Sequence, residues 1–238
     1  MAGHSKWAQI KRKKAANDQK KGKIFSKLLK EIEIAARLGG PNPEGNARLK
    51  NAILRAKTEG VPNDNINRAI QRGAGDKDKQ QLEEIFYEGF GPGNVAFIAK
   101  VITDNRNRTS SEIRHLVSKY GGTLSGFNSV RHLFKERGVV RVNATNINED
   151  DLIAKVLDLN IEDLKLDPDG AEIIVAVKEL GTCVERLKSN YDITSAEIKF
   201  IPTVTQAIPD EETEKVLEFF EVLDDHDDVQ DVYFNAEL

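Results

Sequence analysis

Positive charge is gathered at the start of this 238-residue chain, where it could neutralise the phosphates of a nucleic acid. Residues 1–30 carry ten Lys and Arg side chains against one carboxylate, Asp18, which gives a net charge of +9. Lysine contacts hold a polyanion without reading its bases, so they predict affinity and little sequence specificity. We predict nucleic-acid contacts from Lys6, Trp7, Lys11, Arg12, Lys13, Lys14, Lys20, Lys21, Lys23 and Lys27.

Two simpler interpretations apply to this basic run. A lysine-rich segment can be a solvated tail, although a net charge of +9 is more than solvation requires. Trp7 can stack on a base or pack on the folded part of the chain as an anchor, and the sequence does not separate these roles.

Arg106 and Arg108 form a second group of cations, between a β-rich run at 95–102 and the helix-opening sequence Thr109-Ser110-Ser111-Glu112. Guanidinium groups beside a helix N-terminus suit a phosphate. The alternative is that Asp104 and the loop amides hold both arginines for structural reasons. We favour the phosphate contact and include both residues in the predicted site.

The residues that could form a nucleotide-binding loop, a metal site or a catalytic site lack the spacing that these sites need. The glycines of 87–93 are not followed by the Lys-Ser/Thr pair of a P-loop, so this run predicts a tight turn between strands. The acidic run 224–228 lacks the EF-hand pattern and predicts a solvated loop. No nucleophile, base and orienting group can be assembled, and the histidines are scattered at His4, His115, His132 and His226. We therefore predict no enzyme activity, no metal, no cofactor and no small-molecule substrate.

Charge changes sign along the chain. Residues 1–80 hold 19 Lys and Arg against 8 Asp and Glu, a net +11, whereas residues 145–238 hold 7 against 25, a net −18. The acidic end is expected to stay clear of a nucleic acid bound at the basic end. Cys183 is the only cysteine, and no apolar stretch is long enough to span a bilayer, which predicts a cytoplasmic protein without a membrane partner.

Hydrophobic spacing predicts an α+β protein. Helical periods at 23–38, 46–59 and from residue 62 predict a three-helix domain, 23–80, behind a basic arm, 1–22. Strands alternate with helices after residue 82, with a hairpin expected around Gly138. We predict one α+β domain from 82–130 plus 203–238, with a second α+β domain, 131–202, inserted into it.

Four runs in order resemble the YebC family, also called the translational activator of cytochrome oxidase family, over nearly the full length. They are the opening Ala2 to Trp7 with Ile10, Lys11, Lys13 and Lys14, the run Gly22 to Leu28, the run Pro62 to Gly73, and Tyr87 to Gly93 followed by Thr103 to Thr109. Asn94 departs from the expected glycine, and Lys21 from the more usual arginine. The resemblance implies a helical N-terminal domain and two α+β domains, here expected to be ferredoxin-like, around a cleft.

The resemblance also implies a role in gene expression, described in two ways. One is a DNA-binding transcriptional regulator, for which the sequence shows no obvious helix-turn-helix. The other is a ribosome-associated translation factor that binds ribosomal or transfer RNA and relieves stalling, for example at proline runs. Recognition of RNA by shape needs no recognition helix. We predict the first and keep the second as the alternative. A purely structural adaptor would not need the concentrated positive charge.

Overall fold

The computed structural model describes residues 18–75, 82–143, 147, 149–157, 159 and 161–237. The predicted arm lies outside these residues up to residue 17, and residues 18–22 belong to the first helix. The linker predicted at 76–81 lies outside them as well. The helices are α1 Asp18–Gly39, α2 Ala47–Thr58, α3 Asn63–Ala74, α4 Arg106–Lys119, α5 Glu149–Val156, α6 Leu180–Leu187 and α7 Asp210–Asp224.

The first three helices pack on one another as the hydrophobic spacing predicts. Leu28 and Ile32 of α1 are buried against Leu49 of α2 and Ile66 of α3. The buried side chain of Asn46 joins the first two helices, because its amide donates to the Ala35 and Gly40 carbonyls and its oxygen caps α2 at the Leu49 N–H.

Ten strands lie in the described residues after the first three helices. They are β1 Glu83–Phe90, β2 Ala96–Thr103, β3 Thr123–Leu124, β4 Phe134–Asn143, β5 Ile161–Asp167, β6 Gly170–Val175, β7 Ile193–Pro202, β8 Gln206–Ala207, β9 Val229–Phe234 and β10 Ala236–Glu237. One antiparallel sheet has the order β3-β1-β2-β9 and the other the order β5-β6-β4-β7, while β8 and β10 form a short parallel pair. The second sheet thus lies, in the chain, between β3 and β9.

Each sheet buries one face under two helices. Helices α4 and α7 cover the first sheet, around Phe97, Phe219 and Phe220. Helices α5 and α6 cover the second sheet over a separate core. The two sheets meet through a third apolar cluster, in which Phe200 of β7 packs edge-on against Tyr233 of β9 at a centroid distance of 5.3 Å.

The predicted α+β class with a helical N-terminal region is confirmed, and two local expectations are wrong. The residues around Gly138 form one continuous strand, β4, because β7 pairs with it from Phe134 to Val142, across that glycine, and β6 pairs with it from Gly138 onward. Helix α4 begins at Arg106 with Asn105 as its cap, three residues before the predicted capping box. We propose that one domain is formed by 82–130 together with 203–238, and that 131–202 is a second domain inserted into it.

The turn predicted at 87–93 does join β1 to β2, but it begins only at Gly91, because residues 87–90 belong to β1. The Gly91 N–H donates to the Val95 carbonyl at 2.8 Å, and Gly93 and Asn94 both have positive φ, 67° and 58°. Asparagine tolerates this left-handed conformation better than most residues, so the Asn94 departure from glycine is compatible with the turn.

Candidate nucleic-acid interface

The structure describes five of the predicted contact side chains. Lys6, Trp7, Lys11, Arg12, Lys13 and Lys14 lie outside the described residues, and so does the side chain of Lys20. Lys21, Lys23 and Lys27 lie on α1, whereas Arg106 and Arg108 lie in the first turn of α4. These positions form two groups, one on each helix.

Lysines of α1 hold the end of α7 and the loop after it. Lys27 donates to the Asp224 carbonyl, Lys23 to the Asp225 carbonyl at 3.2 Å, and Lys30 to the Asp227 carbonyl at 3.1 Å. Carbonyls at a helix C-terminus lack partners within the helix and carry partial negative charge, so ammonium groups stabilise them. Lys23 and Lys27 therefore have structural partners, and Lys30 is a third lysine that the sequence-based prediction missed.

Asp228 is the centre of this contact. Its Oδ1 accepts from Lys30 Nζ at 2.6 Å, and its Oδ2 accepts from Thr109 Oγ1 at 2.7 Å, Arg108 Nη2 at 3.0 Å and Thr103 Oγ1 at 3.2 Å. Burial of the carboxylate acts to raise its pKa, but the hydrogen bonds from Lys30, Thr109 and Arg108 outweigh burial and hold the pKa far below its ordinary value. The expected solvated acidic loop is wrong for Asp228, which is 3% exposed.

The two predicted arginines have separate roles in the structure. Arg108 is bound to Asp228 and also lies 3.1 Å from Asp104 Oδ1, and the hydrogen bond to Asp228 is the main cause of its raised pKa. The structural alternative considered for this pair therefore describes Arg108. Arg106 is exposed and makes no hydrogen bond or ion pair within the described residues.

A groove of about 370 Å³ lies beside Arg106. Its walls include β1, the first turns of α4 and Phe127, whose side chain is 74% exposed. Phe127 was missed in the sequence because a single aromatic residue among Gly126, Asn128 and serines has no periodic signal.

A network of four charged side chains fixes the helical region on the first sheet. Glu31 of α1 accepts from Arg48 Nε at 2.8 Å and from Lys100 Nζ at 3.0 Å, and Arg48 also pairs with Glu84 of β1. Burial acts to raise the pKa of Glu31, yet Lys100 and Arg48 lower it overall. These cations are thus neutralised within the protein and are not available to a polyanion.

Glu112, His226 and Asp228 place ligand-type atoms within 4.8 Å of one another, which is compatible with a metal ion. Each atom already has a protein partner: His226 Nε2 lies 3.0 Å from Glu112 Oε2, and His226 Nδ1 accepts from the Asp228 N–H at 3.1 Å. Contacts within the protein therefore explain why these three side chains lie close together.

Burial raises the pKa of the Cys183 thiol to about 11, which disfavours the reactive thiolate at neutral pH. Among the described residues, no helix is both long and apolar enough to cross a bilayer.

Comparisons with known proteins cover nearly the whole chain. Residues 5–76 match the model of the TACO1/YebC protein N-terminal domain, and residues 82–236 match that of the TACO1/YebC second and third domain. A "Probable transcriptional regulatory protein" of Carboxydothermus hydrogenoformans is 46% identical over 242 residues, covering 100% of this chain and 99% of the relative. One of the same description from Thermotoga maritima is 43% identical, covering 100% of this chain and 94% of the relative.

A solved structure has the same fold. The crystal structure of the conserved hypothetical protein Aq1575 from Aquifex aeolicus superposes with a TM-score of 0.87 at 42% identity, covering 92% of this chain and 91% of that one. With both family models matched in order along the chain, this protein belongs to the TACO1/YebC family.

Proposed function

We propose that this protein is a nucleic-acid-binding regulator of gene expression, acting on DNA as a transcriptional regulator and without catalysis. The observation that carries the proposal is the net charge of +9 over residues 1–30. Curated relatives described as probable transcriptional regulatory proteins support a regulatory role. A cytoplasmic location agrees with the single, buried cysteine.

The contacts of the described lysines narrow the proposed interface. Since Lys23 and Lys27 bind carbonyls of the 224–228 loop, we assign the main phosphate contacts to residues before them and to Arg106. The proposed set is Lys6, Lys11, Arg12, Lys13, Lys14, Lys20, Lys21 and Arg106, with Trp7 as a stacking residue. Lys23, Lys27 and Arg108 then position the helix and loop that carry this interface.

A translation factor bound to ribosomal RNA is the second candidate. It is favoured by the exposed aromatic side chain of Phe127 in the same groove as Arg106, which has no partner among the described residues, since RNA recognition commonly uses aromatic stacking and backbone contacts. Both candidates need the same basic segment, so they differ in the polyanion bound and not in the physical basis of binding.

Binding by the purified full-length protein tests the proposal. At low ionic strength we expect affinity for duplex DNA, ribosomal RNA or intact ribosomes that weakens steeply as salt is added. Absence of affinity for all three would refute the proposed function. Crosslinking to chromosomal DNA compared with co-sedimentation with ribosomes in the same cells then separates the two candidates: discrete DNA sites support the regulator, and salt-resistant recovery with ribosomes alone supports the translation factor.

A further inference from the structure

The groove beside Arg106 is bounded by an open sheet edge. β3 pairs with β1 only at Gly89 and Phe90, so the stretch 83–87 of β1 has no strand partner on that side within the described residues. The first turns of α4 form one wall, where Tyr87 Oη lies 2.6 Å from Ser110 Oγ. The volume of about 370 Å³ falls in the range of small-molecule sites, roughly 300–1,000 Å³.

Phe127 forms the other wall and is held in its exposed position. The buried carboxylate of Glu88 accepts from the Asn128 N–H at 3.0 Å and from the Val130 N–H at 3.1 Å, which fixes the loop after Phe127. The Glu88 carbonyl accepts from the Ser125 N–H at 2.8 Å, which fixes the loop before it. Arg131 lies over Phe86, with its guanidinium 4.8 Å from the ring centroid, and 5.9 Å from the Phe127 centroid. A 74% exposed aromatic ring is thus presented to solvent by a loop with buried anchors.

The charges around the groove favour a ligand with one phosphate near Arg106. Arg106 has no partner among the described residues, whereas Glu84 is neutralised by Arg48 and Lys100. The remaining carboxylate, Glu83, would repel a second phosphate and can accept a hydrogen bond from the amino group of a base. A continuous duplex presents neither isolated phosphates nor an accessible base face, so it fits this arrangement poorly.

We propose that the groove binds one unstacked base of a single-stranded nucleic acid on the ring of Phe127, with Arg106 contacting the adjacent phosphate. Base–aromatic stacking is the common element of single-strand binding and tolerates every base. The inference rests on the proposed function and extends it, because it adds a contact with a single-stranded base to the sequence-independent phosphate contacts of the basic segment.

Replacing Phe127 by Ala tests the proposal by fluorescence anisotropy with labelled single-stranded and duplex oligonucleotides of equal length. We expect affinity for the single strands to fall about 5- to 150-fold, the range for removal of one base–aromatic stack, while affinity for the duplex is unchanged. Phe127→Trp should retain single-strand affinity, because a larger aromatic face remains. The matched control is Leu157→Ala. It removes another apolar side chain, 68% exposed, which lies directly after α5.

The outcomes separate this inference from the proposed function. Unchanged single-strand affinity in Phe127→Ala, with wild-type binding intact, overturns the groove as a base site and leaves the proposed function standing. Equal losses for single strands and duplex overturn the single-strand preference. If the wild-type protein binds neither probe, this inference fails, and binding to ribosomal RNA and to ribosomes then decides whether the proposed function fails with it. Thermal melting of each variant checks that the loop substitution leaves the fold intact.

Discussion

Lys30 Nζ lies 2.6 Å from Asp228 Oδ1, and this ion pair joins residues 198 positions apart in the chain. Lys30 is in the middle of α1, and Asp228 lies directly before β9. The pair connects the basic N-terminal helix with the most acidic loop of the C-terminal region. The acidic end of the chain was expected to stay clear of a nucleic acid bound at the basic end, and in this loop it also holds the basic helix through Lys30.

Replacing Asp228 by Asn should destabilise the fold. The amide cannot satisfy Lys30 and Arg108 together with Thr109, and removing one member of a buried ion pair typically costs about 3–5 kcal/mol. Since Lys30 and Arg108 remain partly solvated, we expect about 3 kcal/mol, measured as the free energy of unfolding in urea. Asp227→Asn is the matched control, because its side chain is 74% exposed and its loss should cost under about 0.5 kcal/mol. Equal stability of both variants would show that Asp228 is not a structural centre.

Stability should depend on pH through Asp228. Its folded pKa lies below the ordinary value of 3.8, so its contribution is present above that pH and is lost as the pH falls through and below it. Glu31 has a lowered pKa for a similar reason and acts in the same direction. We expect the free energy of unfolding to decline from about pH 5 to about pH 3, and to decline less steeply in Asp228→Asn. Parallel curves for wild type and variant would contradict this assignment.

The basic segment should determine the salt dependence of binding. Replacing Lys11, Arg12, Lys13 and Lys14 by Ala should weaken binding to all sequences and flatten the plot of log affinity against log salt, by roughly 0.9 for each duplex phosphate that the variant no longer neutralises. The control variant removes the same number of charges from exposed lysines elsewhere, at Lys135, Lys178, Lys188 and Lys215. A slope that stays the same in the first variant, or falls equally in both, would exclude specific phosphate contacts by the segment.

The local hydrophobic pattern was sufficient to predict most of the secondary-structure elements. The long-range contacts between side chains could not be predicted from it. The apolar spacing of α1 to α3 places those helices within a few residues of their observed limits, because the buried face of a helix repeats apolar residues at the helical period. The side-chain partners of Asp228 come from α1, β2 and α4, more than 100 residues away, and nothing in the acidic run itself distinguishes the one buried carboxylate from its solvated neighbours. For the same reason, the sequence could not show that Arg108 has protein partners while Arg106 has none among the residues that the structure describes.

Because Arg108 has protein partners and Arg106 has none in the described part of the chain, we expect Arg106 to act in nucleic-acid binding and Arg108 in stability. Arg106→Gln removes a charge without a partner in the described part of the chain, so unfolding free energy should change by no more than about 0.5 kcal/mol. Single-strand affinity should fall, and its salt slope should flatten by about 0.7, the value for one phosphate on a single strand. Arg108→Gln removes an ion pair with Asp228, so it should lower stability measurably, by less than Asp228→Asn, and leave the salt slope nearly unchanged. Because the two variants remove the same charge two residues apart on one helix, each controls for the other. A lower slope in Arg108→Gln, or a loss of stability in Arg106→Gln, would reverse the roles assigned here.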